Sequence, residues 1–203
     1  MIKTLKHMKI SELITQEGLR FDENFSLEKN GLYEKYKRVY LVFLNCFNSK
    51  KRKSKGVLLA GGIGTGKTML MRVFQRLLLS TERSFKWANA YELKDIIETS
   101  GTAEVKRLYG RELKSDLYLD DIGVIAAEFM KYGNTTNILA ELILERYDLF
   151  ISEGYKTHLS TNLPPASSDP KVPTVKKILT ARAFDRVREM CEIITFEGQS
   201  LRN

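Results

Sequence analysis

The sequence has few of the residues that build disulfide frameworks, zinc sites or membrane spans. Its 203 residues include only two cysteines and two histidines, with no CxxC pair and no histidine-rich tract, so a structural zinc site is not expected. We expect Cys46 and Cys191 to be reduced thiols. The longest apolar stretch, Val39 to Phe47, is interrupted by Asn45 and is too short for a membrane span, and no signal peptide is evident. The sequence therefore predicts a cytoplasmic protein without membrane contact.

The composition and length are those of one globular domain. Hydrophobic residues make up 43% of the chain and charged residues 29%, which is typical of a soluble protein with an ordinary core. No internal repeat or low-complexity segment is present. We therefore predict a short amino-terminal arm over residues 1–25 and a single domain over residues 26–203.

The charge balance is basic, with 33 lysines and arginines against 25 acidic residues and a net charge of +8. Such an excess favours contact with nucleic acid or another polyanion, although many basic proteins contact neither. A basic run from Lys50 to Lys55 could contact DNA phosphates with a salt-sensitive affinity. It could equally be a solvated loop before the first strand, and the sequence leaves both interpretations open.

Short apolar segments alternate along the chain with longer amphipathic ones. Strands are predicted at Gly56–Ala60, Ser84–Ala88, Asp116–Leu119, Lys156–Ser160 and Glu192–Phe196. Helices are predicted at Leu27–Phe47, Met69–Leu79, Tyr91–Thr99, Asn137–Glu153 and, as one or two helices, Val175–Met190. This alternation predicts a three-layer α/β sandwich whose parallel sheet binds ligands at the carboxyl ends of its strands.

A phosphate-binding loop is the most specific motif in the chain. The segment Gly61-Gly62-Ile63-Gly64-Thr65-Gly66-Lys67-Thr68 fits GxxxxGK[ST] and lies between a predicted strand and a predicted helix. Its glycines let backbone N–H groups approach phosphates, and the following helix directs its positive end at them. Lys67 is expected to reach the β- and γ-phosphates, and Thr68 to bind Mg²⁺. The sequence therefore predicts an ATP and Mg²⁺ site at this segment, continued by Met69.

Two acids follow a second predicted strand, where a metal-binding carboxylate would be needed. Asp120 and Asp121 come directly after the apolar segment Leu117 to Leu119. Aspartates are also common where a strand meets a turn. The phosphate loop upstream favours the functional interpretation, in which Asp120 binds Mg²⁺ and Asp121 polarises or orients the attacking water.

Polar residues at two further positions complete the candidate site. Asn162 follows the strand predicted at Lys156–Ser160, and its amide could hydrogen-bond the γ-phosphate or the water, or could simply form a turn before proline. Arg182 and Arg186 are four residues apart, so they share one face of a predicted helix. They could form a solvated basic face or supply an arginine finger to the ATP of a neighbouring subunit.

Together these motifs resemble the DnaC/IstB family of AAA+ ATPases, which comprises bacterial replicative helicase loaders and transposition helper proteins. The similarity covers roughly residues 20–203 and consists of GGIGTGKT, LYLDDIG, KTHLSTNLPP and ARAFDRVREMCEIITFEGQSLR, in that order. It implies a P-loop NTPase of AAA+ type without a full carboxyl-terminal helical lid. It also implies a homo-oligomer that holds ATP at its subunit interfaces.

The resemblance also implies a role for individual residues. The matching positions are Lys67 and Thr68 for Walker A, Asp120 and Asp121 for Walker B, Asn162 for sensor 1 and Arg186 for the interfacial arginine finger. Arg182 would be an accessory arginine of the same motif, and Arg202 a terminal position that senses nucleotide. Arg146 would line the subunit interface.

The resulting functional prediction is a helicase-loader-like ATPase acting in DNA replication on single-stranded DNA and a replicative helicase. A transposition helper that binds duplex DNA and a transposase fits the same motifs. A nucleotide-switched adaptor with little turnover is a further alternative, because Asp121 reaches less far toward a water than a glutamate would. A small-molecule P-loop kinase is disfavoured by the paired acids and by Asn162. We expect turnover to be slow and dependent on oligomer formation.

Overall fold

A computed structural model describes residues 10–20, 23–28, 34, 37–38, 41, 54–78, 84–124, 137–196 and 200. Most of the helix predicted at Leu27–Phe47 and most of the basic run Lys50–Lys55 lie outside these residues, as does Arg202. The predictions made for those positions stay predictions.

The described residues form five strands and seven helices that are named here in chain order. The strands are β1 (Gly56–Gly61), β2 (Phe85–Asn89), β3 (Asp116–Asp120), β4 (Thr157–Thr161) and β5 (Cys191–Phe196). The helices are α1 (Ile10–Leu19), α2 (Lys67–Leu78), α3 (Ala90–Ser100), α4 (Thr102–Tyr109), α5 (Ile138–Ser152), α6 (Val175–Ile178) and α7 (Ala181–Met190). In this part of the chain no helix is both long and apolar enough to cross a membrane.

The five strands form one sheet in the order β2-β3-β4-β1-β5, and every pair is parallel. In the register of the sheet, Leu58 of β1 lies opposite Leu159 of β4 and Ile193 of β5. Because β4 lies between β1 and β3, the segments that leave the carboxyl ends of these three strands are neighbours. The topology therefore brings the phosphate loop, the paired acids and the residue after β4 to one edge of the sheet.

Helices cover both faces of the sheet, so the predicted three-layer α/β sandwich is confirmed. Leu93 of α3, Leu142 of α5 and Val187 of α7 belong to one hydrophobic cluster. Ile14 of α1 and Phe74 of α2 belong to a second cluster on the other face. The described residues after β4 form α6, α7 and β5 within the sandwich, and no separate helical lid occurs among them.

Two helices were not predicted from the sequence. Helix α4 follows Gly101, whose φ of 81° ends α3, and no side chain caps its amino terminus. Helix α1 lies in the predicted arm, yet its Ile14 is only 2% exposed and packs in the core cluster with α2. The arm therefore contributes to the core, while the boundary at residue 25 stays a prediction.

The structure corrects the interpretation of Arg146. Its side chain is fully buried at 0% exposure, so the prediction that it lines a subunit interface is wrong. The guanidinium donates hydrogen bonds to Thr157 Oγ1 at 3.1 Å and to the carbonyl oxygens of Leu113 at 2.9 Å and Ser115 at 2.7 Å. Burial lowers its pKa to about 10. Arg146 fastens α5 to the segments that enter β3 and β4.

Candidate functional site

The phosphate loop connects β1 to α2 and depends on glycine at positions of positive φ. Gly64 has a φ of 78° and Gly66 a φ of 87°, a region that other residues adopt only with strain. A Cβ atom on Gly64 would lie 2.1 Å from Ser200 Oγ. The loop is therefore in contact with the end of the chain, and position 64 has no room for a side chain.

The Lys67 side chain lies folded over this loop. Lys67 is the first residue of α2 and is 9% exposed. Its Nζ donates hydrogen bonds of 2.7 Å to the carbonyl oxygens of Gly61 and Gly62, and one of 3.3 Å to Thr65 Oγ1. The amino terminus of α2 directs the positive end of the helix dipole toward the phosphate loop. A cation, glycine N–H groups and a helix amino terminus together form an environment suited to a polyphosphate.

Three hydroxyl groups converge on one oxygen of Asp120. Asp120 Oδ1 accepts hydrogen bonds from Thr68 Oγ1 at 3.2 Å, from Tyr118 OH at 2.7 Å and from Ser160 Oγ at 2.7 Å. Thr68 and Asp120, the two residues predicted to bind Mg²⁺, therefore lie side by side.

A hydroxyl and a carboxylate are oxygen ligands of the kind that Mg²⁺ prefers, so this donor set fits the ion. Within the described ranges no cluster of three or more His, Cys, Asp or Glu side chains could hold a metal. Mg²⁺ bound by Thr68 and Asp120 would need its remaining ligands from water and phosphate, which is its usual mode of binding beside a nucleotide.

Asp121 combines a strained backbone with a buried polar atom. Its φ of 53° makes it the one non-glycine residue with positive φ in the described part of the chain. Its Oδ1 atom is buried without a hydrogen-bond partner. Burial is the main cause that raises the pKa of this carboxyl above its ordinary value; the charge of Asp120 adds to the rise, and the backbone N–H groups of Val124 and Asn162 oppose it. Strain and unsatisfied polar atoms of this kind concentrate at functional sites.

Asn162 lies next to these acids. It follows Thr161, the last residue of β4, and its Oδ1 is 3.0 Å from where a Cβ on Gly123 would lie. The structure therefore brings Asn162 to the same edge of the sheet as the phosphate loop, Asp120 and Asp121. The roles assigned to these residues stay predictions.

The two arginines of α7 lie elsewhere. Helix α7 packs on the face of the sheet opposite α2. The Arg186 guanidinium lies 4.5 Å from the centre of the Tyr147 ring and donates a 3.0 Å hydrogen bond to Glu189 Oε2. Arg182 is exposed. Among the described residues no hydrogen bond or ion pair joins either arginine to the phosphate loop.

Sequence reasoning missed Tyr118 and Ser160, the two other residues that hold Asp120. The sequence predicts Tyr118 as part of an apolar strand, and the residue is fully buried. Burial, followed by the charge of Asp120, raises the pKa of its hydroxyl well above the ordinary value, so the group stays protonated as a donor. The available signal was spacing, because residues two apart on a strand share one face of the sheet.

Solved structures of replication proteins share this fold. The structure of DnaI is 21% identical, with a TM-score of 0.60, over 97% of this chain and 95% of that chain. The DnaC helicase loader is 17% identical, with a TM-score of 0.53, over 91% and 98%. AMPPCP-bound DnaA from Aquifex aeolicus is 15% identical, with a TM-score of 0.59, over 89% of this chain and 51% of that chain.

No protein-family model matches the sequence, and neither does any curated protein. Because these solved structures are only 15% to 21% identical to this chain, their similarity shows the fold alone. This shared fold agrees with the fold that the resemblance of the motifs implies. This chain has the fold of AAA+ ATPase domains such as those of the DnaC helicase loader, DnaI and DnaA.

Proposed function

We propose that this chain binds ATP with Mg²⁺ at Gly61–Thr68 and hydrolyses it. The observation that carries the proposal is the 3.2 Å hydrogen bond between Thr68 Oγ1 and Asp120 Oδ1, which joins the phosphate loop to the acid of β3. These two groups would have to lie side by side to bind one Mg²⁺ beside a nucleotide.

Each residue at the sheet edge then has a distinct task. Lys67 neutralises the phosphates, and bound Mg²⁺ would supply further neutralisation of the β- and γ-oxygens. Asp121 accepts a hydrogen bond from the attacking water and orients it. The Asn162 amide, which follows β4 at the same edge of the sheet, acts on the same water or on the γ-phosphate. Aspartate at position 121 reaches less far than glutamate would, so turnover is slow.

Arg186 acts on the ATP of a neighbouring copy in this proposal. It lies on α7, which packs on the face of the sheet opposite α2, and it is about a third exposed with its guanidinium beside Tyr147. A second copy packed against α7 would receive this cation at its phosphate loop, where such a residue stabilises transition-state charge. Activity would therefore require a homo-oligomer.

The cellular role we propose is that of a helicase-loader-like protein in DNA replication. The fold shared with the DnaC helicase loader supports it, and the net charge of +8 suits a protein that contacts single-stranded DNA. A nucleotide-switched adaptor is the second candidate, favoured by aspartate at position 121. The loader-like protein is expected to hydrolyse ATP and to respond to DNA, whereas the adaptor is expected to show little turnover and no response.

Substitution of Lys67 tests the nucleotide site. Lys67→Ala removes the cation that is hydrogen-bonded within the loop, so binding of Mg·ATP measured by isothermal titration calorimetry should be abolished. Lys114→Ala is the matched control, because Lys114 pairs with Glu153 at the opposite edge of the sheet. Micromolar binding retained by Lys67→Ala would overturn the proposal.

The cellular role is tested by DNA and by a partner. Single-stranded DNA should stimulate ATP turnover at low salt, and the stimulation should decline as salt is raised. No response at low salt would favour the adaptor. Pull-down with the cognate replicative helicase should retain this chain, whereas retention by a transposase alone would identify a transposition helper.

A further inference from the structure

The hydrogen bonds to Asp120 come from two sources. Thr68 belongs to the phosphate loop, and its approach to the acid follows from the motif. Tyr118 and Ser160 lie in the segments LYLDDIG and KTHLSTNLPP, but the motifs assign no role to either hydroxyl, and each donates a 2.7 Å hydrogen bond to the same Oδ1 atom. Hydrogen bonds to an ionised carboxylate are stronger than those between neutral groups. Two of the three hydrogen bonds that hold the carboxylate thus come from residues outside the phosphate loop.

The Tyr118 hydroxyl is fixed in place because its ring is fixed. In the sheet register Tyr118 lies opposite Trp87 on β2 and His158 on β4. The Trp87 ring packs edge-on against it with centroids 4.5 Å apart, and the Phe85 ring does so at 6.0 Å. His158 is buried, and its Nδ1 accepts the N–H of Val57. A ring wedged among aromatic neighbours has little freedom to move its hydroxyl away from Asp120.

Ser160 forms hydrogen bonds with both acids, Asp120 and Asp121. Its hydroxyl accepts the backbone N–H of Asp121 at 2.8 Å while it donates to Asp120. One hydroxyl on β4 thus orients the side chain of the first acid and the backbone of the next residue. The orientation of Asp120 therefore depends on two strands, β3 and β4.

We propose that Tyr118 is a positioning residue for metal binding: its hydroxyl holds the Asp120 carboxylate in the orientation that Mg²⁺ requires, and so raises the affinity for the ion beside bound ATP. The inference rests on the proposed function. Partners that orient a metal ligand typically change metal affinity by about 10- to 100-fold when they are removed.

The test compares nucleotide affinity with and without Mg²⁺. Tyr118→Phe keeps the buried ring and removes only the hydroxyl. Binding of a non-hydrolysable ATP analogue is measured by calorimetry in Mg²⁺ and again in EDTA, and the ratio of the two affinities is the readout. We expect this ratio to fall by about 10-fold, with the affinity in EDTA unchanged.

Tyr109→Phe is the matched control. Tyr109 is also a buried tyrosine, at 1% exposure, and its hydroxyl also donates to a carboxylate, that of Glu92 on α3. It belongs to the cluster on the face opposite α2. Its loss should leave the Mg²⁺ ratio at the wild-type value.

Three results would overturn the inference. A wild-type ratio in Tyr118→Phe would show that the hydroxyl does not serve the metal, and an equal loss of affinity in EDTA would show a general structural role. If Tyr118→Phe does not fold, Ser160→Ala removes a second donor from the same oxygen and must lower the ratio instead. A wild-type chain that binds the analogue equally in both conditions would also contradict it, whereas one that binds no nucleotide would overturn the proposed function itself.

Discussion

The carboxyl edge of the sheet and the face formed by α5 and α7 hold their charged groups in different ways. At the edge, Asp120 receives three hydrogen bonds from its own chain, and Lys67 is enclosed by the loop that precedes it. On the α5–α7 face, Arg186 is about a third exposed, and within the described ranges it pairs with the side chains of Tyr147, Asp185 and Glu189. The first region is assembled within one chain. The second presents a cation that another molecule could receive.

Burial distinguishes Arg186 on α7 from Arg146 on α5, the helix that packs in the same cluster. Arg146 is fully buried and donates to backbone carbonyl groups and to Thr157. Its charge is committed to the fold, whereas the weak exposed pairs of Arg186 can be exchanged at little cost. Arg146 is thus expected to stabilise the fold and Arg186 to act on a neighbouring copy. Substitution of each arginine can distinguish these roles.

The largest effect is expected at Arg186. Arg186→Ala should lower oligomer-dependent ATP turnover by about 10³-fold or more, because an arginine finger stabilises transition-state charge, while binding of Mg·ATP is retained. Steady-state kinetics at high protein concentration measures the loss. Arg111→Ala, which removes another exposed arginine paired to an acid, Asp148, is the control. Unchanged turnover in Arg186→Ala would remove the finger assignment.

Arg146 should affect stability and not catalysis. Arg146→Ala leaves buried carbonyl groups of residues 113 and 115 without their donors, and each buried polar group left unsatisfied costs about 1–3 kcal/mol. Urea denaturation should show this loss in the free energy of unfolding. A variant as stable as the wild type, with impaired assembly, would restore the interface interpretation of Arg146.

Asp121 should show opposite effects on activity and stability. Asp121→Asn should lower kcat by about 10²-fold, as expected when a residue that accepts a proton or orients water is lost. The pKa of Asp121 is higher in the folded chain than in the unfolded chain, so ionisation of this carboxyl destabilises the fold. The free energy of unfolding therefore falls as pH rises through the folded pKa. Removing the charge at neutral pH should therefore stabilise the fold and raise Tm.

The measurement pairs kinetics with thermal unfolding at pH 7. The pH dependence of kcat/KM adds a second check, since a raised pKa of Asp121 in the free chain shifts the acid limb of the profile to higher pH. Full activity in Asp121→Asn would contradict the role assigned to this carboxyl.

The sheet and the phosphate loop could be predicted because their signals are local. Each predicted strand occurs with bounds shifted by at most one residue, and the helix predicted at Met69–Leu79 is α2, Lys67–Leu78. The region Val175–Met190 divides into α6 and α7, where Thr180 caps the second helix by accepting the N–H of Ala183. Apolar runs, glycine spacing and capping residues are enough for such elements.

The features that could not be predicted from the sequence depend on contacts between distant segments of the chain. Helix α4 has no side-chain cap to mark its start. The hydroxyl of Tyr118 matters only because β2 and β4 fix its ring, and Arg146 was assigned from a resemblance that carries no information on burial. The contact between Gly64 and Ser200 likewise joins the loop to the end of the chain. None of these follows from periodicity or motif spacing.

A mixing experiment tests most directly the claim that a site assembled in one chain is completed by a second. Lys67→Ala lacks the nucleotide site but keeps Arg186, and Arg186→Ala has the reverse defect. If the arginine acts across a head-to-tail interface, random mixing of equal amounts should restore about one quarter of wild-type ATP turnover, although each variant alone is inactive. Mixtures that stay as inactive as the separate variants would contradict the account.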